Sequence, residues 1–178
     1  MDNDIILVDK NDKIIGYEEK IKIHKKGQLH RAFSIFIFNS KGELLLQKRV
    51  KNKYHSGGLW SNTCCSHPRK NKEIEFECHK RLREEMGFDC KLTKIFSFIY
   101  KVNLENGFIE NEFDHVFFGK YNGLINPNPK EVSDYKCLNL KDLKEDINKN
   151  TKIYSYWFKN IIKNHYPRFS LLCQSIPL

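Results

Sequence analysis

The stretch His30-Arg31-Ala32-Phe33-Ser34-Ile35-Phe36-Ile37-Phe38-Asn39-Ser40-Lys41-Gly42-Glu43-Leu44-Leu45-Leu46-Gln47-Lys48-Arg49 reads as two strands joined by a turn at Asn39–Gly42. Phe33, Ile35 and Ile37 share one face of the first strand; Ser34, Phe36 and Phe38 share the other. Both faces are largely apolar, so this strand is expected to be covered on both sides. Upstream, Ile5–Val8 and Ile14–Glu18 read as short strands about the turn DKNDK. Downstream, a Gly-rich loop, YHSGGLW, leads into SNTCCSHP at residues 61–68. From Glu73 to Met86, Ile74, Cys78, Leu82 and Met86 recur every four residues, and Gly87 can end the helix they predict. Residues 91–102 and 110–121 are strand candidates joined by a turn at Glu105-Asn106-Gly107. YKCLNL is another strand candidate, and residues 141–148 and 153–164 read as closing helices. Strands dominate and helices cover them, an α+β sandwich with no internal repeat or linker.

The chain has 178 residues, long enough for one domain with a real core. Lys and Arg outnumber Asp and Glu by 31 to 22, and the formal charge of +9 favours anionic partners. No nucleic-acid motif accompanies that charge, so a dedicated nucleic-acid module is not expected. The N-terminal residues are acidic with only a short apolar run, and no segment reaches membrane-spanning length. A cytoplasmic protein is therefore expected, with Cys64, Cys65, Cys78, Cys90, Cys137 and Cys173 reduced. No Cys-x-x-Cys pair points to a zinc ribbon.

His24, His30 and His67, with Glu110 and Glu112, are the candidate metal ligands. The two glutamates lie two apart on a strand and so face the same way. Like charges so placed repel unless a cation or water lies between them. On spacing alone, a divalent-ion site and a solvated acidic strand end both remain open. Glu77, Arg81 and Glu85 stand four apart, which fits a row of exposed ion pairs as well as a Mg²⁺ and phosphate site. Lys20, Arg49 and Lys53 flank the long hairpin and the Gly-rich loop, where they could meet a diphosphate. Tyr100 and Trp157 fit core packing as well as a site.

LHRAFSIFIFNSKGELLLQKR, SNTCCSHP, RLREEMG, ENE and YWFKNII, in that order, resemble the type I isopentenyl-diphosphate isomerases of the Nudix superfamily. The resemblance runs from about Ile5 to about Lys163 and implies a single Nudix-like domain, a mixed sheet sandwich flanked by helices, over residues 1–178. It implies interconversion of isopentenyl and dimethylallyl diphosphate by an antarafacial 1,3-allylic proton shift through a tertiary carbocation. In that scheme Cys65 stands on one wall and Glu112, aided by Tyr100, on the other. His24, His30, His67, Glu110 and Glu112 would hold one Zn²⁺ or Mn²⁺. A Mg²⁺ would bridge Glu85, the Cys65 carbonyl and the diphosphate, which Lys20, Arg49, Lys53 and Arg81 would bind. Trp157 would face the carbocation. The partner implied is a small prenyl diphosphate, taken by a monomer. The basic, metal-bearing setting leads to the expectation of a lowered Cys65 thiol pKa.

The chain departs from the wider Nudix hydrolase helix motif. Lys80 and Arg81 stand where an Arg-Glu pair is usual, which speaks against a diphosphate hydrolase. Ser56 stands where the isomerases commonly carry proline, and the connection from Pro68 to the helix is short. A zinc-stabilised anion-binding module without catalysis is the remaining alternative.

Overall fold

Strand β3 (His30–Phe38) lies at the centre of the sheet, as its two apolar faces require. The computed structural model describes residues 4–53 and 55–174. β3 runs parallel to β8 (Ile109–Lys120), in register from His30↔Glu112 to Phe38↔Lys120. Its other edge is shared by three strands. β1 (Asp4–Val8) pairs at His30, β6 (Cys64–Ser66) from Phe33 to Ile35, and β4 (Glu43–Arg49) only at Phe38↔Leu44.

The expected hairpin of residues 30–49 thus forms only at its base. The segment carrying β5 (Trp60–Ser61) and β6 wedges between its arms, and β4 pairs instead with β5 and with β9 (Val132–Asn139). Side chains of the wedge satisfy backbone groups along the separated arms. The Thr63 hydroxyl accepts from the Ile37 N–H at 3.0 Å and donates to the Leu45 carbonyl at 2.6 Å. Asn62 Nδ2 donates to the carbonyls of Ile35 and Cys64.

Helix α2 (Ile74–Met86) buries Cys78, Leu82 and Met86 against Phe33, Ile35 and Ile37, and Gly87 ends it in the left-handed region at φ 76°. The other face of β3 carries Phe36 and Phe38 against α4 (Tyr156–Gln174). β7 (Leu92–Asn103) pairs with β8, β2 (Ile14–Glu19) pairs with β1, and α3 (Leu140–Lys149) follows β9.

Three local expectations are corrected. Helix α1 (Lys20–Lys26) was not read from the sequence, because its seven residues bury only Ile23 and His24. α4 begins at Tyr156 rather than Ile153 and continues past Asn164 through Pro167. Proline removes a helical donor, yet Phe169 is fully buried 4.6 Å from the Phe36 ring and keeps the helix on the sheet. Among the described residues, no helix is long and apolar enough to cross a membrane. Cys64, Cys65, Cys78, Cys90 and Cys137 are free thiols, while the side chain of Cys173 lies outside the described residues.

Leu82→Ala should cost about 2–5 kcal/mol in urea unfolding, because it empties a fully buried site. Phe76→Ala, on the exposed side of the same helix, should change stability by less than about 0.5 kcal/mol. Burial holds the His115 imidazole down at about 4, against the pull of Asp12. Because its folded pKa is depressed, its neutral form contributes stability above the unfolded value of about 6.5, and that contribution is lost as pH falls toward 4. Urea midpoints should therefore fall through that window, and fall less in His115→Asn.

Candidate active site

Strand periodicity puts the candidate residues on one face of the sheet. On β8, Glu110, Glu112 and Asp114 alternate with residues of the opposite face. Glu112 is level with His30 on β3 and with Tyr100 on β7, and Cys65 on β6 is level with Ser34. Cys64, one residue away, turns to the α2 face and is fully buried there. One residue of register thus separates a core cysteine from a pocket cysteine. β6 and β8 flank β3, with Cys65 level with Ser34 and Glu112 level with His30, so the two side chains come from strands on either side of β3 and four residues apart along it. An inner pocket of about 40 Å³ is lined by both, with Ser34, Arg49, His55 and Trp157.

Ligand atoms of His24, His30, His67, Glu110 and Glu112 all lie within 4.8 Å of one another. His24 comes from α1, His30 from β3, His67 from the end of β6 and the glutamates from β8. The ring orientations fit a metal. His24 Nδ1 donates to the Lys20 carbonyl at 2.6 Å and His30 Nδ1 to the Gln28 carbonyl at 2.9 Å. Those bonds fix each ring and turn its Nε2 inward, the atom through which imidazole binds metals. His30 Nε2 and Glu110 Oε2 are buried with no hydrogen-bond partner among the described residues. His67 Nε2 lies 2.8 Å from Glu112 Oε1, and burial keeps its ring well below the usual histidine range. The group can hold a divalent ion, and the solvated-strand reading fails because Glu110 is only 2% and Glu112 8% exposed.

The chemistry of the two walls differs. Burial and the Glu110 charge push Glu112 up, but the imidazoles of His30 and His67 beside it bring it below the ordinary carboxylate value. Tyr100 donates to Glu112 Oε2 at 2.6 Å. The Cys65 thiol, expected to be lowered, is pushed up to about 12 by burial, with Arg49 only partly opposing. The pocket thus pairs a neutral thiol with an ionised carboxylate.

Below the pocket opens a groove of about 560 Å³ lined by Lys20, Lys53, Arg69, Arg81 and Glu131, among others. Lys20, Lys53 and Arg81 converge here. Arg49 instead faces the inner pocket with its guanidinium 5.3 Å from the Trp157 ring centroid. Glu85 accepts from Arg81 Nη2 at 2.5 Å and from Gln47 Nε2 at 2.8 Å. Glu77 and Glu85 are both buried, so the residues four apart on α2 are not a solvated row of ion pairs.

Four residues of this site were not singled out from the sequence. His55 sits in the Gly-rich loop with Nε2 2.9 Å from Glu110 Oε1. Gly57 brings that loop back tightly: a Cβ there would lie 2.3 Å from the Lys51 carbonyl oxygen. Ser56, where proline is common in the resembled family, has φ 50°, a conformation closed to proline. Asn62 accepts from the Trp157 indole N–H at 3.2 Å. Asp114 accepts from the Ser34 hydroxyl at 2.8 Å, and burial holds its carboxyl well above the usual range. Only His55, a histidine between candidate phosphate ligands and the cysteine motif, carried a usable sequence signal.

Residues 28–158 match the NUDIX domain family. The chain is 55% identical over 162 residues to an isopentenyl-diphosphate Delta-isomerase 2 of Photorhabdus laumondii, covering 91% of this chain and 92% of that one. It is 44% identical to an isopentenyl-diphosphate Delta-isomerase of Burkholderia multivorans over 92% and 93% of the two chains. In fold it is similar to a crystal structure from Deinococcus radiodurans, with TM-score 0.69 and 16% identity over 83% of this chain and 90% of that one. A MutT protein from Methanosarcina mazei gives TM-score 0.64 and 16% identity over 81% and 94%.

Glu110→Gln should reduce retention of a divalent ion through dialysis at least about tenfold, measured as metal per protein. An added divalent ion should raise the thermal midpoint of the unsubstituted protein, and this variant should lose most of that rise.

Proposed function

On the premise that the chain belongs to the NUDIX family, and within it to the isopentenyl-diphosphate Delta-isomerases, we propose that this site interconverts isopentenyl and dimethylallyl diphosphate for isoprenoid biosynthesis. The observation that carries the reading is the placement of Cys65 and Glu112 on strands either side of β3, lining one pocket.

The reaction moves a proton from one end of an allyl unit to the other through a tertiary carbocation. A proton is added on one face and another removed from the opposite face, so an acid and a base must stand on opposite walls. Cys65 as neutral thiol and Glu112 as carboxylate are such a pair. In one direction the thiol gives its proton to the terminal carbon while Glu112 accepts one from the far end. The reverse direction starts from the thiolate and the carboxylic acid. Tyr100 fixes the Glu112 carboxyl through its 2.6 Å hydrogen bond. The Trp157 indole, held by Asn62, faces the developing cation with a contribution of roughly 2 kcal/mol once desolvated. The cation requires a pocket closed to the water that would capture it, and α4, which carries Trp157, is the lid that would close it.

Lys20, Arg49, Lys53 and Arg81 bind the diphosphate, and Glu85 with the Cys65 carbonyl is the place for its Mg²⁺. Zn²⁺ or Mn²⁺ is the ion proposed for His24, His30, His67, Glu110 and Glu112, whose nitrogen and oxygen donors suit a borderline cation. When bound, the ion supplies the charge that lets Glu110 and Glu112 lie together and tunes the acidity of Glu112. Residues 1–178 act as one catalytic domain, as a monomer in the cytoplasm, without nucleic-acid or membrane partners. Hydrolysis is disfavoured because Arg81, where the hydrolase motif has a carboxylate, bonds Glu84 and Glu85.

In D₂O with Mg²⁺ and isopentenyl diphosphate, proton NMR should show dimethylallyl diphosphate carrying deuterium. Cys65→Ala and Glu112→Gln should each lower kcat by about 10²–10⁴. Phosphate release without rearrangement would overturn the assignment.

A further inference from the structure

The cations of the diphosphate groove are not waiting for an empty space. Glu131 puts a carboxylate among them. Its Oε2 is bonded to Lys53 Nζ and lies 3.6 Å from Arg81 Nη2, and Arg49 is near enough to add its field. Two of the four proposed diphosphate ligands thus already face one anion. The backbone aims the side chain there. The Glu131 N–H donates to the Asn128 carbonyl at 2.9 Å, and its carbonyl accepts from the Val50 N–H at 3.2 Å. The side chain is 25% exposed, so its carboxylate can turn toward solvent without crossing packed core.

The same Arg81 nitrogen is 2.5 Å from Glu85 Oε1. Glu85 and Glu131 therefore flank one guanidinium nitrogen. Two carboxylates in that position repel a bare polyanion entering the groove. They tolerate a polyanion that brings a divalent cation, because the cation offers each of them an oxygen-seeking partner.

We propose that Glu131 is a specificity-determining residue of the groove. In the free protein its carboxylate stands where a phosphate would, and it gives up Lys53 and Arg81 to a magnesium diphosphate in preference to a metal-free one. The inference rests on the reading of this groove as the diphosphate site. It adds a selection step that the cations alone do not supply, since Lys20, Arg49, Lys53 and Arg81 would attract any phosphate ester.

Calorimetric titration with inorganic pyrophosphate, with and without Mg²⁺, tests this on the full chain purified without chelator. The unsubstituted protein should bind pyrophosphate at least about tenfold more tightly with Mg²⁺. Glu131→Gln, which keeps the shape and removes the charge, should bind metal-free pyrophosphate about tenfold more tightly than the unsubstituted protein and show a correspondingly smaller Mg²⁺ effect, Glu85 still holding the ion. Glu131→Asp, which keeps the charge, should restore the Mg²⁺ dependence. Glu131→Gln binding metal-free pyrophosphate no better than the unsubstituted protein, or keeping its full Mg²⁺ dependence, overturns the proposal. So does failure of the unsubstituted protein to bind pyrophosphate with Mg²⁺, which removes the groove as a diphosphate site. Failure of the isomerase reading would show separately, as absent rearrangement in the NMR assay with pyrophosphate selectivity intact.

Discussion

Two buried carboxylates on one strand, Glu110 and Glu112, are the constraint around which the site is organised. Side by side on β8 and almost wholly out of water, they cannot both be ionised without nearby positive charge or hydrogen-bond donors. The fold supplies imidazoles from four separate segments. His24 comes on α1, His30 on β3, His55 on the Gly-rich loop and His67 after β6, and each lies within 4.0 Å of one of the two carboxylates. Breaking one partner of such a buried set typically costs about 3–5 kcal/mol, against about 0–1 for a surface pair. The arrangement therefore fixes where α1, β6 and the loop meet the sheet as much as it prepares chemistry.

The placement of the acid–base pair follows from the wedge that splits the β3–β4 hairpin. With β6 laid along β3, Cys65 is forced to the Ser34 side and Cys64 to the Ile35 side. The pocket face is closed by α4 through Trp157 and the opposite face by α2 through Leu82 and Met86. Burial then decides the resting protonation of the two walls, and it decides them oppositely. Cys65 is near a guanidinium but loses more to desolvation than it gains. Glu112 is equally enclosed but recovers its charge through the histidines.

Much of this was legible in the sequence because it depends on short-range periodicity. The alternation of Phe33, Ile35 and Ile37 against Phe36 and Phe38 foretold a strand covered on both faces. The four-residue spacing of Cys78, Leu82 and Met86 foretold α2, and the spacing of Glu110 and Glu112 foretold a shared face. What was not legible depends on residues distant in the chain. Nothing local in residues 30–49 says that a later segment will separate the hairpin, or that Thr63 will bridge the gap. α1 was missed because its burial is set by β8, against which it packs, rather than by its own pattern. The extension of α4 through Pro167 depends on Phe169 meeting Phe36. The direction of the Cys65 shift could not be read because it depends on how completely the pocket closes.

The central claim is that a single base on one wall removes one particular hydrogen. It is tested most directly with isopentenyl diphosphate bearing deuterium at one or the other prochiral position of the methylene next to the diphosphate-bearing carbon. Mass spectrometry of the dimethylallyl diphosphate should show complete loss of one label and complete retention of the other. Equal loss of both labels would contradict the account, because it would mean that the proton leaves to solvent rather than to a group held on one wall.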